Sequence, residues 1–346
     1  MVYRSIRTVF KFLGNGIDAQ LPYPKSSLPP PAREALLSVL NGVIGDHLAE
    51  RNNPLAIPMQ LRQNGKPLNE QTLSEAIQRS DGKFLILVHG SCLNDLQWNR
   101  QGHDHGAALA RDLEFEPIYL HYNSGLHISD NGKLFSALLE TIIKQSSQPT
   151  ELFILAHSMG GLIARSACHY AKKSGQTWLS FLQKLIFLGT PHHGALLEKG
   201  GNWINSLLEI SPYSAPFSRL GKVRSCGVTD LRYGNITEAD WKDRDRFELS
   251  GDQRTPVPLP KKVQCYSIAA TTGKKTNKLS NDLIGDGLVT VNSALGNHKN
   301  PKFNLGFPET YQWVGRDMNH MDLLNDPQVY ETIKGWLGSS QKCDDQ

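Results

Sequence analysis

The chain has 346 residues, with 37 Lys and Arg against 33 Asp and Glu, for a formal net charge of +4. That length suits one large α/β domain with insertions, and 39% hydrophobic with 20% charged residues is ordinary for a globular enzyme. The small charge neither demands nor excludes an anionic partner, no motif leads to the expectation of a nucleic-acid partner, and no apolar run reaches the length of about 18 residues that predicts a transmembrane helix.

Residues 1–57 read as an N-terminal helical extension and 58–346 as the main domain. Met1 to Leu13 mixes Arg4, Arg7 and Lys11 into its apolar residues, whereas a secretory signal keeps its charges ahead of an unbroken apolar run. A cytoplasmic location is therefore expected, and the same stretch suits packing against the domain or a weak contact with a membrane surface. Leu21-Pro-Tyr-Pro and Leu28-Pro-Pro-Pro mark a break. Ala35, Leu36, Val39, Leu40, Val43 and Ile44 recur at helical spacing and predict a helix over 32–48. Between Met59 and Leu68, Asn64-Gly65 predicts a hairpin with a tight primed turn, because both residues tolerate positive φ.

From Lys83 the pattern alternates. Strands are predicted at 83–88, 117–121, 152–156, 184–188, 263–269 and 311–314, and helices near 104–113, 132–147, 159–173 and 326–337. This predicts a mostly parallel sheet with helices on both faces. The interval 195–262 breaks the rhythm. It holds Trp203, Ile204, Leu207 and Leu208 at helical spacing, then Pro212 and Pro216, then a charged run from Asp240 to Arg246. It reads as a lid or cap over the site, or as a surface insertion without a gating role.

Residues 152–161, Leu-Phe-Ile-Leu-Ala-His-Ser-Met-Gly-Gly, carry the sharpest signal. An apolar strand ends in Ser158, small residues (Ala156 and Gly160) stand two before and two after it, and a helical segment follows. This is the pattern of a nucleophile elbow, with alanine where the usual motif has its first glycine. A serine that merely caps a helix is the plainer alternative. Phe84 to Val88 forms an apolar run that stops at His89-Gly90-Ser91, the position from which esterases with this elbow supply a second oxyanion N–H; by position the donor is Ser91, alongside the amide of Met159. Asp286 lies in Gly285-Asp286-Gly287-Leu288-Val289, and His320 in Met318-Asn319-His320-Met321. The order Ser158, Asp286, His320 differs from that of the two common serine-protease families.

With these words in hand, and with Leu-Gly-Thr-Pro-His-His-Gly at 188–194, the chain resembles the α/β-hydrolase lipases and esterases over roughly residues 83–337. Among them it looks most like bacterial lipases and the GPI inositol-deacylase-like group. The resemblance implies an α/β-hydrolase fold and a serine carboxylic-ester hydrolase working through an acyl-enzyme. Ser158 is then the nucleophile, His320 the base and Asp286 the group that orients it; Asp282, four residues earlier, is the rival acid. The implied substrates are apolar acyl esters, from short-chain esters to lipids, with polyesters among them. A lipid-remodelling deacylase or acyltransferase would use the same residues, and a catalytically silent binding protein on this fold is the reading from another class.

The remaining candidates have simpler explanations. His103-Asp104-His105 resembles a metal pair, but histidines at i and i+2 do not share a helical face, and Asp104 suits a helix cap. Asp322 matches an aspartate that some bacterial lipases use for calcium, without a convincing second carboxylate. His192 and His193 follow a strand and could line the pocket, and Tyr122-Asn123-Ser124-Gly125 could contribute polar contacts there. Five cysteines without paired spacing support neither a disulfide framework nor a zinc site. Gly14-Asn15-Gly16 is too short for a dinucleotide loop, so neither a cofactor nor a metal is expected.

Overall fold

The computed structural model describes residues 30–146, 151–195, 225–243, 252–273 and 285–339. Helix α1 (Pro30–Glu50) follows the predicted apolar spacing, and Val39, Leu40, Val43, Ile44 and Leu48 are buried along it. Strands β1 (Gln60–Gln63) and β2 (Lys66–Pro67) form the expected hairpin. Its turn residues Asn64 and Gly65 have φ of 51° and 72°, as a primed turn requires.

Helix α2 (Glu70–Arg79) is not among the predicted elements. Its signal was nonetheless in the sequence: Asn69 and Thr72 form a reciprocal capping box, and Leu73, Ala76 and Ile77 follow at helical spacing and are buried.

The sheet is completed by β3 (Lys83–Val88), β4 (Glu116–His121), β5 (Glu151–His157), β6 (Leu182–Leu188), β7 (Gln264–Thr271) and β8 (Gln312–Arg316). Its eight strands lie in the order β2-β1-β4-β3-β5-β6-β7-β8. The two outer pairings, β1 with β2 and β1 with β4, are antiparallel, and every other pairing is parallel. Alternate side chains enter two cores. Phe84, Ile86, Ile154 and Phe187 face one, and Leu85, Leu87, Leu155 and Ile186 face the other. A sheet buried on both faces needs near-continuous apolar strands, which is why β3 and β5 read as unbroken hydrophobic runs.

Helices α3 (His105–Leu113), α4 (Ile128–Gln145), α5 (Met159–Ser174) and α8 (Pro327–Gly338) fall where alternation placed them, with α6 (Cys226–Tyr233) and the short α7 (Val291–Ala294) added. This is the α/β-hydrolase architecture. Helix α4 begins four residues earlier than expected because its cap comes from elsewhere. Asp230, 102 residues away, accepts the Ile128 N–H at 3.0 Å.

Of the expected lid interval, residues 196–224 and 244–251 lie outside the described residues, and with them Trp203, Ile204, Leu207 and Leu208. The described remainder is bound to the body. Ser225 donates to the Gly42 carbonyl at 2.7 Å, the Cys226 amide to Asp46 at 2.9 Å, and the Val228 and Leu231 side chains enter the same core as α1. No helix among the described residues is long and apolar enough to cross a membrane.

Burial also governs how the molecule responds to acid. Loss of hydration, the main cause, lowers His89 to about 3 and His105 to about 4, and it takes His157 and His192 well below the ordinary value. These rings are neutral in the folded chain and protonate more readily once it unfolds. Their contribution is therefore complete above about pH 6.5 and is lost as the pH falls toward those folded values. Between pH 7 and pH 5, His89 and His105 alone should remove on the order of 4 kcal/mol of stability, above the range where carboxylates titrate. Urea midpoints should fall steeply over that interval; an unchanged midpoint contradicts the burial argument.

Candidate active site

The chain turns from β5 into α5 at Ser158, whose φ of 54° and ψ of −125° are unusual for a residue with a side chain. The turn is held by hydrogen bonds on both sides: the Ser158 amide donates to the Leu188 carbonyl at 2.8 Å, and the Gly161 amide to the Ser158 carbonyl at 3.0 Å. Met159 opens α5, so its amide is one of the helix-start donors without an acceptor inside the helix.

Small residues around Ser158 are required by close approach. A Cβ on Gly160 would stand 2.5 Å from the Val88 carbonyl oxygen and 2.6 Å from that of His89. Both obstacles are backbone, so Gly160→Ala should cost about 1–3 kcal/mol of stability, read from urea unfolding. A variant as stable as the parent contradicts this packing. A Cβ on Gly90 would lie 3.0 Å from both Ser158 Cβ and His157 Nδ1, so the loop after β3 presses directly on the Ser158 turn.

That loop, which carries Ser91, is fixed from behind. Cys92 has a positive φ of 60°. Its amide donates to Ser124 Oγ at 3.0 Å, and the Tyr122 hydroxyl donates to the His89 carbonyl at 2.7 Å. The segment leaving β4 thus braces the predicted oxyanion loop, a role that the sequence signalled only as a cluster of polar residues after a strand. Buried Cys92 has its thiol pushed up to about 12 by desolvation, which makes it inert.

The structure brings Asp286 and His320 together. His320 Nδ1 donates to Asp286 Oδ2 at 2.7 Å, with both side chains buried. The other carboxylate oxygen accepts the amides of Leu288 at 2.9 Å and Val289 at 2.8 Å, and the His320 amide returns to the Asp286 carbonyl at 3.1 Å. Three N–H groups therefore orient the carboxylate. Asp282, the rival acid, lies outside the described residues. With its proton committed to Nδ1, the ring presents a bare Nε2, which is buried and has no hydrogen-bond partner. His320 stands over the end of β6, where a Cβ on Gly189 would be 3.0 Å from its Cε1. Ser158 leaves the adjacent strand β5. No hydrogen bond joins the two side chains in this structure; such contacts commonly tighten only in the substrate complex.

Two buried histidines hold the His320 loop. His157, the residue before Ser158, faces that loop. Its ring lies 4.7 Å from that of His320, and its Nε2 donates to the His320 carbonyl at 3.3 Å. His105 donates through Nε2 to the Leu323 carbonyl at 3.0 Å, and its Nδ1 accepts from His103 at 2.8 Å. Asp104 caps α3 through the Ala107 amide. The His103 and His105 pair is thus a hydrogen-bonded strut to the loop after His320. Asp322 caps its own turn by accepting the Asn319 amide at 2.8 Å. His192 packs in the core against Phe187, and His193 lies against His298. Among the described residues, no group of three or more His, Cys, Asp or Glu side chains is arranged to hold a metal ion.

Residues 80–248 match the family model described as PGAP1-like alpha/beta domain. Over these residues the chain is similar to that family. The matched interval holds Ser91, Ser158 and Met159, while Asp286 and His320 lie beyond it. No curated protein sequence matches the chain. Among solved structures it is similar to the mature form of Bacillus licheniformis lipase BlEst2, at 17% identity and a TM-score of 0.49, over 81% of this chain and 98% of that one. It is also similar to Aspergillus fumigatus lipase B, at 13% identity and 0.45, over 80% of this chain and 58% of that one. A third is Clostridium botulinum EstA, at 12% and 0.42, over 74% of this chain and 87% of that one.

Proposed function

We propose that this protein is a serine carboxylic-ester hydrolase that acts through an acyl-enzyme on apolar acyl esters, polyesters included. The observation that carries this reading is the 2.7 Å hydrogen bond from His320 to Asp286, which leaves a bare, buried Nε2 at the sheet edge where Ser158 stands in its strained turn. A free serine hydroxyl is a weak nucleophile at neutral pH, and an imidazole of fixed tautomer is what activates it.

In this mechanism Ser158 Oγ attacks the ester carbonyl as its proton passes to His320 Nε2, and the charge on the resulting imidazolium is met by Asp286. The amides of Met159 and Ser91 hold the oxyanion; losing one such donor typically costs roughly 3 kcal/mol of barrier. Collapse expels the alcohol, which takes the proton from His320. Water then enters, gives a proton to the same nitrogen and releases the acid. Hydrolysis of p-nitrophenyl esters across a series from acetyl to palmitoyl tests the reading and maps acyl preference. Turnover within the series is the expected result, and an inert protein across all of it contradicts the reading.

A further inference from the structure

Helix α1 meets the loop after β3 at Gly42. A Cβ there would overlap Cys92 Sγ and stand 3.1 Å from Cys92 Cα and 3.2 Å from its Cβ. Gly45 and Gly125 mark the same close approach: a Cβ on Gly45 would overlap Asn123 Oδ1, and one on Gly125 the Asn41 carbonyl oxygen. Glycine inside a helix is less favourable than alanine, so the two glycines of α1 need a reason in packing, and the segments 92 and 123–125 supply it.

The helix is also pinned where it makes this contact. It leaves helical geometry at Ile44, with φ of −136° and ψ of 20°. Carbonyls on either side of that break are taken by other segments: Gly42 accepts from Ser225 Oγ at 2.7 Å and Gly45 from Asn123 Nδ2 at 2.9 Å. To retreat from the loop, α1 would have to break these bonds.

Cys92 follows Ser91, whose amide is the second oxyanion donor in the reading above. A residue with a side chain holds a φ of 60° only when its surroundings fix it. Here the Cys92 amide donates to Ser124 Oγ at 3.0 Å, Sγ lies 3.8 Å from Ser91 Oγ, and Cα, Cβ and Sγ all rest on the bare face of Gly42. An oxyanion donor works only when held to within about 0.5 Å of its productive position. We infer that Gly42 is a positioning residue for ester hydrolysis, a seat that holds Cys92 and so fixes where the Ser91 amide points. This rests on the ester-hydrolase reading above, and it makes the N-terminal helix part of the support of the oxyanion.

The experiment measures kcat and KM for p-nitrophenyl butyrate, per active site titrated with a fluorophosphonate, in the parent, Gly42→Ala, Cys92→Ala and the double variant. It is paired with inhibition by butylboronic acid, whose tetrahedral adduct on Ser158 presents an oxygen to the same amides. Gly42→Ala should lower kcat by about 10- to 100-fold. KM should change little, and the boronic acid should bind more weakly to match, because the disturbed contact is made in the transition state. Cys92→Ala takes the sulfur off its seat and should lower kcat by about three- to tenfold. In the double variant the new methyl stands where the sulfur was, so it should turn over faster than either single variant. Leu48→Ala, a cavity further along α1, should lower the thermal midpoint and leave kcat per site unchanged. If Gly42→Ala fails to fold, Cys92→Ala decides alone. Parent kcat in either single variant, a loss confined to KM, a double variant slower than both, or an equal kcat loss in Leu48→Ala overturns the inference and leaves the hydrolase reading standing. A parent that neither cleaves the ester nor binds the boronic acid overturns both.

Discussion

Replacing Ser158 by Ala is expected to lower kcat on p-nitrophenyl esters by about 10⁴- to 10⁶-fold. The magnitude follows from what is left behind. Binding and the two oxyanion amides still favour attack by water, but no covalent intermediate can form and His320 has no hydroxyl to activate. The substitution should spare the fold. Alanine experiences the same positive φ as serine, and no hydrogen bond from the Ser158 hydroxyl contributes to the structure. Thermal unfolding should therefore be nearly unchanged while activity disappears. A variant that keeps more than a tenth of the parent rate removes Ser158 from the mechanism.

The second large effect is expected at Asp286. Asp286→Asn keeps the size of the side chain but converts one acceptor oxygen into an N–H donor. All of the carboxylate's partners are donors: His320 Nδ1–H and the amides of Leu288 and Val289. Whichever way the carboxamide is turned, it opposes one of them. If its NH₂ faces His320, the ring shifts its proton to Nε2 and cannot accept from Ser158. If it faces the turn, two backbone amides lose their acceptor and the Gly285 to Val289 turn loosens. A loss in kcat of about 10⁴-fold is expected from the wrong tautomer, with partial recovery at high pH. A variant with nearly full activity at neutral pH returns the acid role to another carboxylate, with Asp282 the first to test.

Local sequence carried much of this architecture. Alternating apolar runs located six parallel strands because a sheet covered on both faces has to be apolar on both, and the sharp turn at Ser158 constrained its neighbours to small residues. The helix at 70–79 was overlooked although its capping box and apolar spacing are local. The early start of α4 could not be read, because its cap is Asp230, far along the chain. The same limit explains the supports of the site. His157 reaches the His320 carbonyl across 163 residues and His105 reaches Leu323 across 218. In the sequence these are only histidines beside a serine and beside an aspartate. Their partners become visible once the sheet sets the ends of β3, β5, β6 and β7 side by side.

The claim on which the rest depends is that Ser158, His320 and Asp286 act as one proton-transfer unit. Labelling with a fluorophosphonate, followed by mass spectrometry of the modified peptide and repeated in His320→Ala, tests it most directly. The account predicts a single adduct on Ser158 in the parent and labelling slowed by orders of magnitude without the imidazole. An adduct on a different residue, or labelling of Ser158 at the full rate in His320→Ala, contradicts it.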